Sequence, residues 1–401
     1  MSEGPLRIGV AGLGRAFTLM LPTFVADRRL RLVAAADPRI EATTRFAAEF
    51  SARAHASVES LCADPEVDVV YVATPHELHA AHVAAAAARG KHVLVEKPMA
   101  VTLPEARAMI DAVARAGVRM VVGHSHSFDR PIARTREIIA GGEFGAVKMI
   151  HAQYYTDFLY RLRRPEELDT NRGGGVVFSQ GAHQLDIARL LGGGEATHVR
   201  ALTGNWDPAR PTEGAYAALL TFTGGAYASL VYSGYGHFDG DALCGSISEL
   251  GVRKDPLDYG AARKRLAQCA NAASEAAAKA ARNYGGGAQA KAPGATVDPL
   301  HQHFGLVVVS CEHADLRPLP DGVMICGDAE QTFESLPPPR VPRAEVIDEL
   351  HAAVVHGISP LHDGRWAMAT LEVCLAMLTS AREHRDVALH AQCAVRDRVQ
   401  A

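Results

Sequence analysis

The pattern of residues 6–124 limits what this chain can fold into more than any other feature. Short apolar runs at Leu6 to Ala11, Leu30 to Ala36, Val67 to Ala73, His92 to Val95 and Val118 to Val122 alternate with helical patterns. The helical stretches include Ile40 to Phe50, His76 to Arg89 and Leu103 to Ala116. Apolar runs with no polar face suit strands buried on both sides. Strand–helix alternation with short links then means a doubly wound parallel sheet. At 401 residues the chain is long for one core, so a second domain is expected.

The pattern changes near residue 125. Ala146 to Thr156 reads as a long strand and Val177 to Leu191 as a helix. Val199 to Thr203, Ala215 to Phe222 and Ala226 to Ser233 read as antiparallel strands, the last two joined by a hairpin at Thr223-Gly224-Gly225. The expected fold class is therefore α/β: residues 1–125 as a doubly wound parallel sheet, residues 126–401 as an α+β domain with an open, mainly antiparallel sheet. Residues 239–305 lack strand periodicity and read as an insertion, with one surface helix over Arg263 to Arg282. A strand is expected at Leu306 to Ser310, and helices at Arg343 to His356 and Arg365 to Arg385.

Composition excludes several classes. Hydrophobic residues make up 48% and charged residues 21%, which are ordinary globular values. A net charge of −4 and a pI near 6.5 argue against a nucleic-acid partner. No stretch is apolar enough to suggest a membrane span, and Leu6 to Gly12 reads as a buried strand instead of a leader. The seven cysteines are scattered without CxxC spacing, which fits reduced thiols in the cytoplasm.

Gly12-Leu13-Gly14 follows the first strand directly. The first glycine permits a tight turn, and the second lets a pyrophosphate approach the backbone at a helix N-terminus. Phe17 occupies the place of the usual third small residue. Asp37 ends the second strand 23 residues after Gly14, where an acid would meet the ribose hydroxyls. Asp37 alone could equally cap the next helix. Together these features point to a dinucleotide-binding Rossmann domain, with Gly12, Leu13, Gly14, Arg15, Ala16, Phe17 and Asp37 as cofactor residues. Asp37 would repel a 2′-phosphate and favour NAD; Arg39 leaves that preference open.

Three further pieces fall near expected strand ends or a helix start: Ala73-Thr74-Pro75-His76-Glu77-Leu78-His79, Val95-Glu96-Lys97-Pro98, and Gly173-Gly174-Gly175 leading to His183 and Asp186. Thr74, Pro75, His76, His79, Glu96 and Lys97 join the expected cofactor residues, because ligands of open α/β sheets sit beyond the strands' carboxyl ends. Lys97 could be a plain surface lysine. At the mouth of a dinucleotide site, the positive nicotinamide and partial burial would favour its neutral form and suit it as a general base.

In combination these motifs resemble the glucose–fructose oxidoreductase, inositol dehydrogenase and rhizopine-catabolism (Gfo/Idh/MocA) family, over essentially the whole chain. The resemblance implies a Rossmann domain followed by an α+β domain whose open sheet often forms the oligomer interface. It also implies a catalytic pair, here Lys97 and His183, and NAD as cofactor. One position departs: the family commonly has an Asp four residues before the His, and here Ser179 stands there beside Gln180. That counts against a sugar or inositol substrate. Asp186, one turn after His183, could orient its imidazole or be structural.

The segments Arg15 to Pro22, Gly123 to Asp129, Tyr155 to Arg161 and Tyr232 to Phe238 resemble one subgroup, bacterial dehydrogenases of phthalate 4,5-cis-dihydrodiol. The loop before the catalytic helix carries Tyr160, Arg161, Arg163, Arg164 and Arg172. Guanidinium forks suit ring carboxylates, so these residues are expected to line the substrate site, with Ser179, His124 and His126 as further lining candidates. The bland alternative is a solvated basic loop or an oligomer salt bridge. His124 with His126, and His301 with His303, show no recognised metal-ligand spacing, and no metal is expected. The expected activity is NAD-dependent oxidation of an aromatic cis-dihydrodiol by a homodimer or homotetramer. A sugar or cyclitol dehydrogenase, and a non-catalytic NAD-binding sensor, are the alternatives.

Overall fold

The computed structural model describes residues 4–287 and 300–396. The chain forms two compact units. The first holds the described residues up to His124, with 276–287 and 340–368; the second holds Ser125–Glu275, 300–339 and 369–396.

The first unit is built on six parallel strands: β1 (Leu6–Ala11), β2 (Leu30–Ala36), β3 (Arg53–His55), β4 (Val69–Val72), β5 (His92–Val95) and β6 (Met120–Val122). Their order is β3-β2-β1-β4-β5-β6. The order reverses between β1 and β4, which is where open α/β sheets place their ligands. Val10, Val69, Val70, Val72 and Val95 are completely buried, as strands covered on both faces require. The helices are α1 (Arg15–Ala26), α2 (Ile40–Phe50), α3 (Val58–Cys62), α4 (His79–Ala88) and α5 (Leu103–Ala116). α5 starts on a reciprocal cap between Thr102 and Glu105, and its end is marked by Gly117 in the left-handed region. β3 was not expected; three residues with a polar, exposed pattern give no periodic signal.

The second unit begins with α6 (Arg130–Gly141) and β7 (Val147–Tyr155). Next come α7 (Ala182–Leu191), β8 (Ala196–Gly204), β9 (Ala215–Phe222) and β10 (Tyr227–Ser233). The insertion carries α8 (Ala261–Leu266) and α9 (Ala272–Ala280) where one helix was expected. Asn271 explains the break. Its side chain accepts from the Ser274 N–H at 2.9 Å while Ser274 Oγ accepts from the Asn271 N–H at 3.1 Å, a reciprocal cap that starts a new helix.

The chain continues through β11 (Leu306–Cys311), β12 (Ala314–Leu319), β13 (Gly322–Gly327), β14 (Gln331–Ser335), α10 (Ala344–Val355), α11 (Gly364–Glu383) and β15 (Val387–Ala388). The nine-stranded sheet runs β14-β13-β12-β11-β7-β10-β9-β8-β15. Only β7 and β10 pair in parallel. Every residue of α7 is buried, including His183, Asp186 and Arg189. No helix among the described residues is long and apolar enough to cross a membrane.

Candidate active site

The turn after β1 takes the form a dinucleotide needs. Gly12 has φ +94°, and a Cβ there would lie 2.7 Å from the Ala73 carbonyl oxygen, so only glycine fits. A Cβ on Gly14 would meet nothing within 4 Å, so the backbone at the start of α1 faces open space. Gly14 is the N-cap of α1 and brings no side chain to its first N–H groups. This suits a pyrophosphate. Leu13 donates its N–H to Asp37 Oδ2 at 2.7 Å. The Asp37 carboxylate also accepts from Arg39 N and Nε, both at 2.9 Å, and Nη2 at 3.0 Å. Asp37 thus holds the glycine loop as well as standing where ribose hydroxyls are expected.

Arg15 opens α1 and makes no hydrogen bond or ion pair among the described residues. Burial, with Arg282 and Arg343 close by, pushes its pKa down to about 10. Ala16 is half-buried. Phe17 lies elsewhere: its ring is completely buried, 5.8 Å from Phe46 and 6.5 Å from Phe24. It fills the core, which explains why a bulky residue is tolerated at that place in the motif.

At the ends of β4 and β5, several expected residues act on one another. His79 is fully buried, with Nε2 2.9 Å from the Thr74 carbonyl oxygen and Nδ1 3.0 Å from that of Pro98. It therefore ties the two strand-end loops together, and burial lowers its pKa. Thr74 Oγ1 lies 2.9 Å from His82 Nδ1. Pro75 and His76 are half-buried, and the His76 ring stands edge-on to His79 at 5.6 Å. Glu96 points into the core, where it accepts from Tyr71 Oη at 2.5 Å. Burial raises its pKa against the pull of Arg343, Tyr71 and Lys97. Lys97 follows at once, half-buried and joined to Pro98 by a cis peptide. His124 closes the first stretch of chain in the unit and is 2% exposed.

In the second unit the three glycines before α7 permit close packing. A Cβ on Gly175, at φ +79°, would fall 2.0 Å from Glu213 Oε1. Glu213 Oε1 in turn accepts the Val177 N–H at 3.2 Å. Val177–Gly181 then forms a π-helical turn that feeds into α7. Ser179 donates to the Gly175 carbonyl across that turn.

His183 is 5% exposed. Its ring lies 4.7 Å from that of His126 and 5.1 Å from that of Phe304. His126 Nδ1 is 2.7 Å from Asp129 Oδ2, and its Nε2 is 3.6 Å from Glu249 Oε1. Burial lowers the pKa of His126, but Asp129 and Glu249 outweigh it and leave the net shift upward. Asp186 does not serve His183. Its carboxylate accepts from Ser127 Oγ and, at 2.7 Å, from Thr370 Oγ1, which makes it a structural tie.

The basic loop separates into distinct roles. Arg164 pairs with Glu166 at 3.1 Å and Glu167 at 3.6 Å. The Arg163 guanidinium lies 3.6 Å over the Phe158 ring and donates to the Phe158 carbonyl at 2.8 Å. Burial pushes its pKa down to about 10. Arg172 is exposed. Tyr160 is covered by Arg263 of the insertion at 4.0 Å.

Arg161 joins the His126 network, through Glu249 at 3.5 Å, and it also pairs with Asp157 at 3.2 Å. Among the described residues its Nη2 has no hydrogen-bond partner. Burial opposes its charge, but Glu249, Tyr232 and Asp157 outweigh it and hold the pKa above the ordinary range.

The comparisons agree with this architecture. A family model described as an oxidoreductase family with an NAD-binding Rossmann fold matches residues 6–124, and the GFO/IDH/MocA C-terminal domain matches residues 132–242. A relative from Comamonas testosteroni, 1-carboxy-3-chloro-3,4-dihydroxycyclohexa-1,5-diene dehydrogenase, is 48% identical over 94% of this chain and 95% of its own length. This chain belongs to the Gfo/Idh/MocA oxidoreductase family. It is an NAD-binding oxidoreductase, and the open turn at Gly12 and Gly14 fits that cofactor.

Among solved structures, a protein from Bordetella bronchiseptica RB50 is similar at TM-score 0.89 and 42% identity, covering 96% of this chain and all of that one. The WlbA dehydrogenase of Bordetella pertussis, in complex with NADH and UDP-GlcNAcA, shares the fold at TM-score 0.68 and 20% identity, over 97% of this chain and 99% of its own.

Sequence reasoning missed Asp129, Glu249 and Phe304. Asp129 stands three residues after His126 on a short turn, a spacing that could have marked it. Glu249 and Phe304 carry no local signal, since each reaches the network only through the fold.

Proposed function

We propose that this enzyme oxidises a carboxylated cyclic cis-dihydrodiol, with phthalate 4,5-cis-dihydrodiol giving 4,5-dihydroxyphthalate as the first substrate to test. The observation that carries this reading is the 48% identity, over nearly the full length of both chains, to a dehydrogenase whose named substrate is a carboxylated dihydroxycyclohexadiene. Arg161 supports it. It offers a charged donor at Nη2 beside the network that holds His183, and a ring carboxylate matches that donor.

In this reading the turn Gly12 to Ala16 and the Asp37 carboxylate cradle the cofactor, and the second unit supplies most of the substrate contacts. NAD, when bound, takes up the two electrons and one hydrogen removed from the carbinol carbon. Lys97 accepts the proton of the reacting hydroxyl, directly or through water. His183, set by ring contact against His126 and Phe304, orients the diol. The hydroxy-ketone left behind tautomerises to a catechol, and recovery of aromaticity drives the step. The chain therefore has mainly to align the diol and move one proton.

The test is NADH formation over cis-dihydrodiols with and without ring carboxylates, beside a panel of sugars. Arg161→Ala should raise KM for a carboxylated dihydrodiol by one to two powers of ten, the equivalent of roughly 1.5–3 kcal/mol for a hydrogen bond to a charged group. Arg161→Lys should rescue poorly, because it lacks the planar fork. Turnover of sugars alone, or an Arg161→Ala variant that treats both dihydrodiols alike, would overturn the reading.

A further inference from the structure

The end of the insertion packs within the first unit. Tyr284 is 6% exposed, with its ring 5.4 Å from Phe17, 6.1 Å from Phe46 and 6.5 Å from Phe50. Its hydroxyl donates to Glu49 Oε2 at 2.7 Å, and Arg45 lies over the ring at 5.3 Å. Gly285, at φ +76°, sits so close to α2 that a Cβ there would be 3.0 Å from Ala42 Cα. These contacts fix a short stretch of the insertion against α1 and α2, the helices that follow β1 and β2.

That stretch reaches the dinucleotide turn through one side chain. Arg39 Nη1 donates to the Tyr284 carbonyl at 3.0 Å, and Nη2 donates to the Leu13 carbonyl at 2.8 Å. Nε and Nη2 form the two-pronged contact with Asp37, whose carboxylate receives the Leu13 N–H. One guanidinium therefore connects the insertion, the acid at the end of β2 and both polar groups of the residue between the two glycines.

We propose that residues 281–287 of the insertion are part of the dinucleotide site, where they lock Arg39 against Asp37 and so hold the Gly12–Gly14 turn ready for the adenosine diphosphate half of the cofactor. Arg39 is thereby a positioning residue. The charge around the turn agrees. Arg15 and Arg282 repel each other at the start of α1, with Arg343 near, and a gathering of cations is relieved by a pyrophosphate. The inference does not depend on the identity of the oxidised substrate.

Binding measured without turnover tests it. NADH and ADP-ribose would be titrated against the full-length wild type, Tyr284→Ala and Arg39→Lys, with melting of the cofactor-free protein in parallel. Arg39→Lys keeps the charge but loses the fork, and should raise Kd for both ligands about tenfold, in the range for losing hydrogen bonds between charged groups. Tyr284→Ala should do the same by releasing the segment. Leu257→Ala, at a site in the insertion that is 86% exposed, should bind both ligands as the wild type does. If Tyr284→Ala does not fold, Arg39→Lys decides alone. Affinities in Arg39→Lys within twofold of wild type, or a loss for NADH with ADP-ribose unaffected, would overturn the proposal.

Discussion

Lys97 and His183 are held by different devices. Lys97 stands beyond the end of β5, on a loop that His79 pins from below through the Pro98 carbonyl. His183 stands on a wholly buried helix, against the rings of His126 and Phe304. Lys97→Met should lower kcat by about 10²–10⁴-fold, the usual range for a lost general acid–base group. NADH binding should survive, since the glycine turn is untouched. His183→Ala should cost less and should alter the pH profile, because His126 then loses its ring neighbour. Steady-state kinetics across pH, with NADH titration alongside, measures both effects. Near-normal turnover by Lys97→Met would remove it from the chemistry.

At the scale of elements, α9 matters beyond its short length. Glu275 receives the Arg163 N–H at 2.6 Å and pairs with Arg210 Nη1 at 2.9 Å. Arg210 is 4% exposed. Glu275→Ala would leave that guanidinium buried without its partner, and should destabilise the second unit by about 3–5 kcal/mol. Denaturant unfolding would show it, and a change under 1 kcal/mol would mean that water reaches Arg210.

The same elements show what the sequence could disclose. β1, β2, β5, α2 and α5 match their patterns residue for residue, because burial on both faces of a strand leaves an unbroken apolar run and an amphipathic helix leaves a periodic one. β12, β13 and β14 were not legible: each has five or six residues, Pro318 interrupts the short alternation of β12, and β14 is largely exposed. The glycine turn and Glu-Lys-Pro were legible as local motifs. Glu249, Tyr284 and Glu275 were not. Arg161 meets Glu249 across 88 residues and Arg39 meets Tyr284 across 245, and no local pattern records such pairings.

For the whole molecule, the two faces of the nine-stranded sheet differ in how they are covered. One of its faces packs inward with Ile150, Ala152, Leu220, Leu230 and Val309 buried. On the other face, the registers align Leu202, Ala217, Val231, Gln153 and Leu306 in one row, and Arg200, Leu219, Ser229, His151 and Val308 in the next. Leu202 is 58% exposed and Leu219 52%, while Val231, Leu306 and Val308 are half-buried. The apolar side chains Leu202, Ala217, Val231, Leu306, Leu219 and Val308 lie on this face among Arg200, Ser229, His151 and Gln153, and an apolar patch spread over five strands favours burial against a partner. Its length across neighbouring strands suits a second copy of the same face better than a small ligand, because closed symmetric pairing buries the patch on both partners at once. The expected state is therefore a homodimer, or a tetramer built from such dimers, joined through this face. Leu219→Asp would place a charge in the middle of the patch and should shift the mass toward the monomer, leaving the Rossmann unit's affinity for NADH unchanged. Light scattering at micromolar concentration checks both proteins. A monomeric wild type would contradict the expectation, and an Asp variant with undiminished mass would move the interface to another surface.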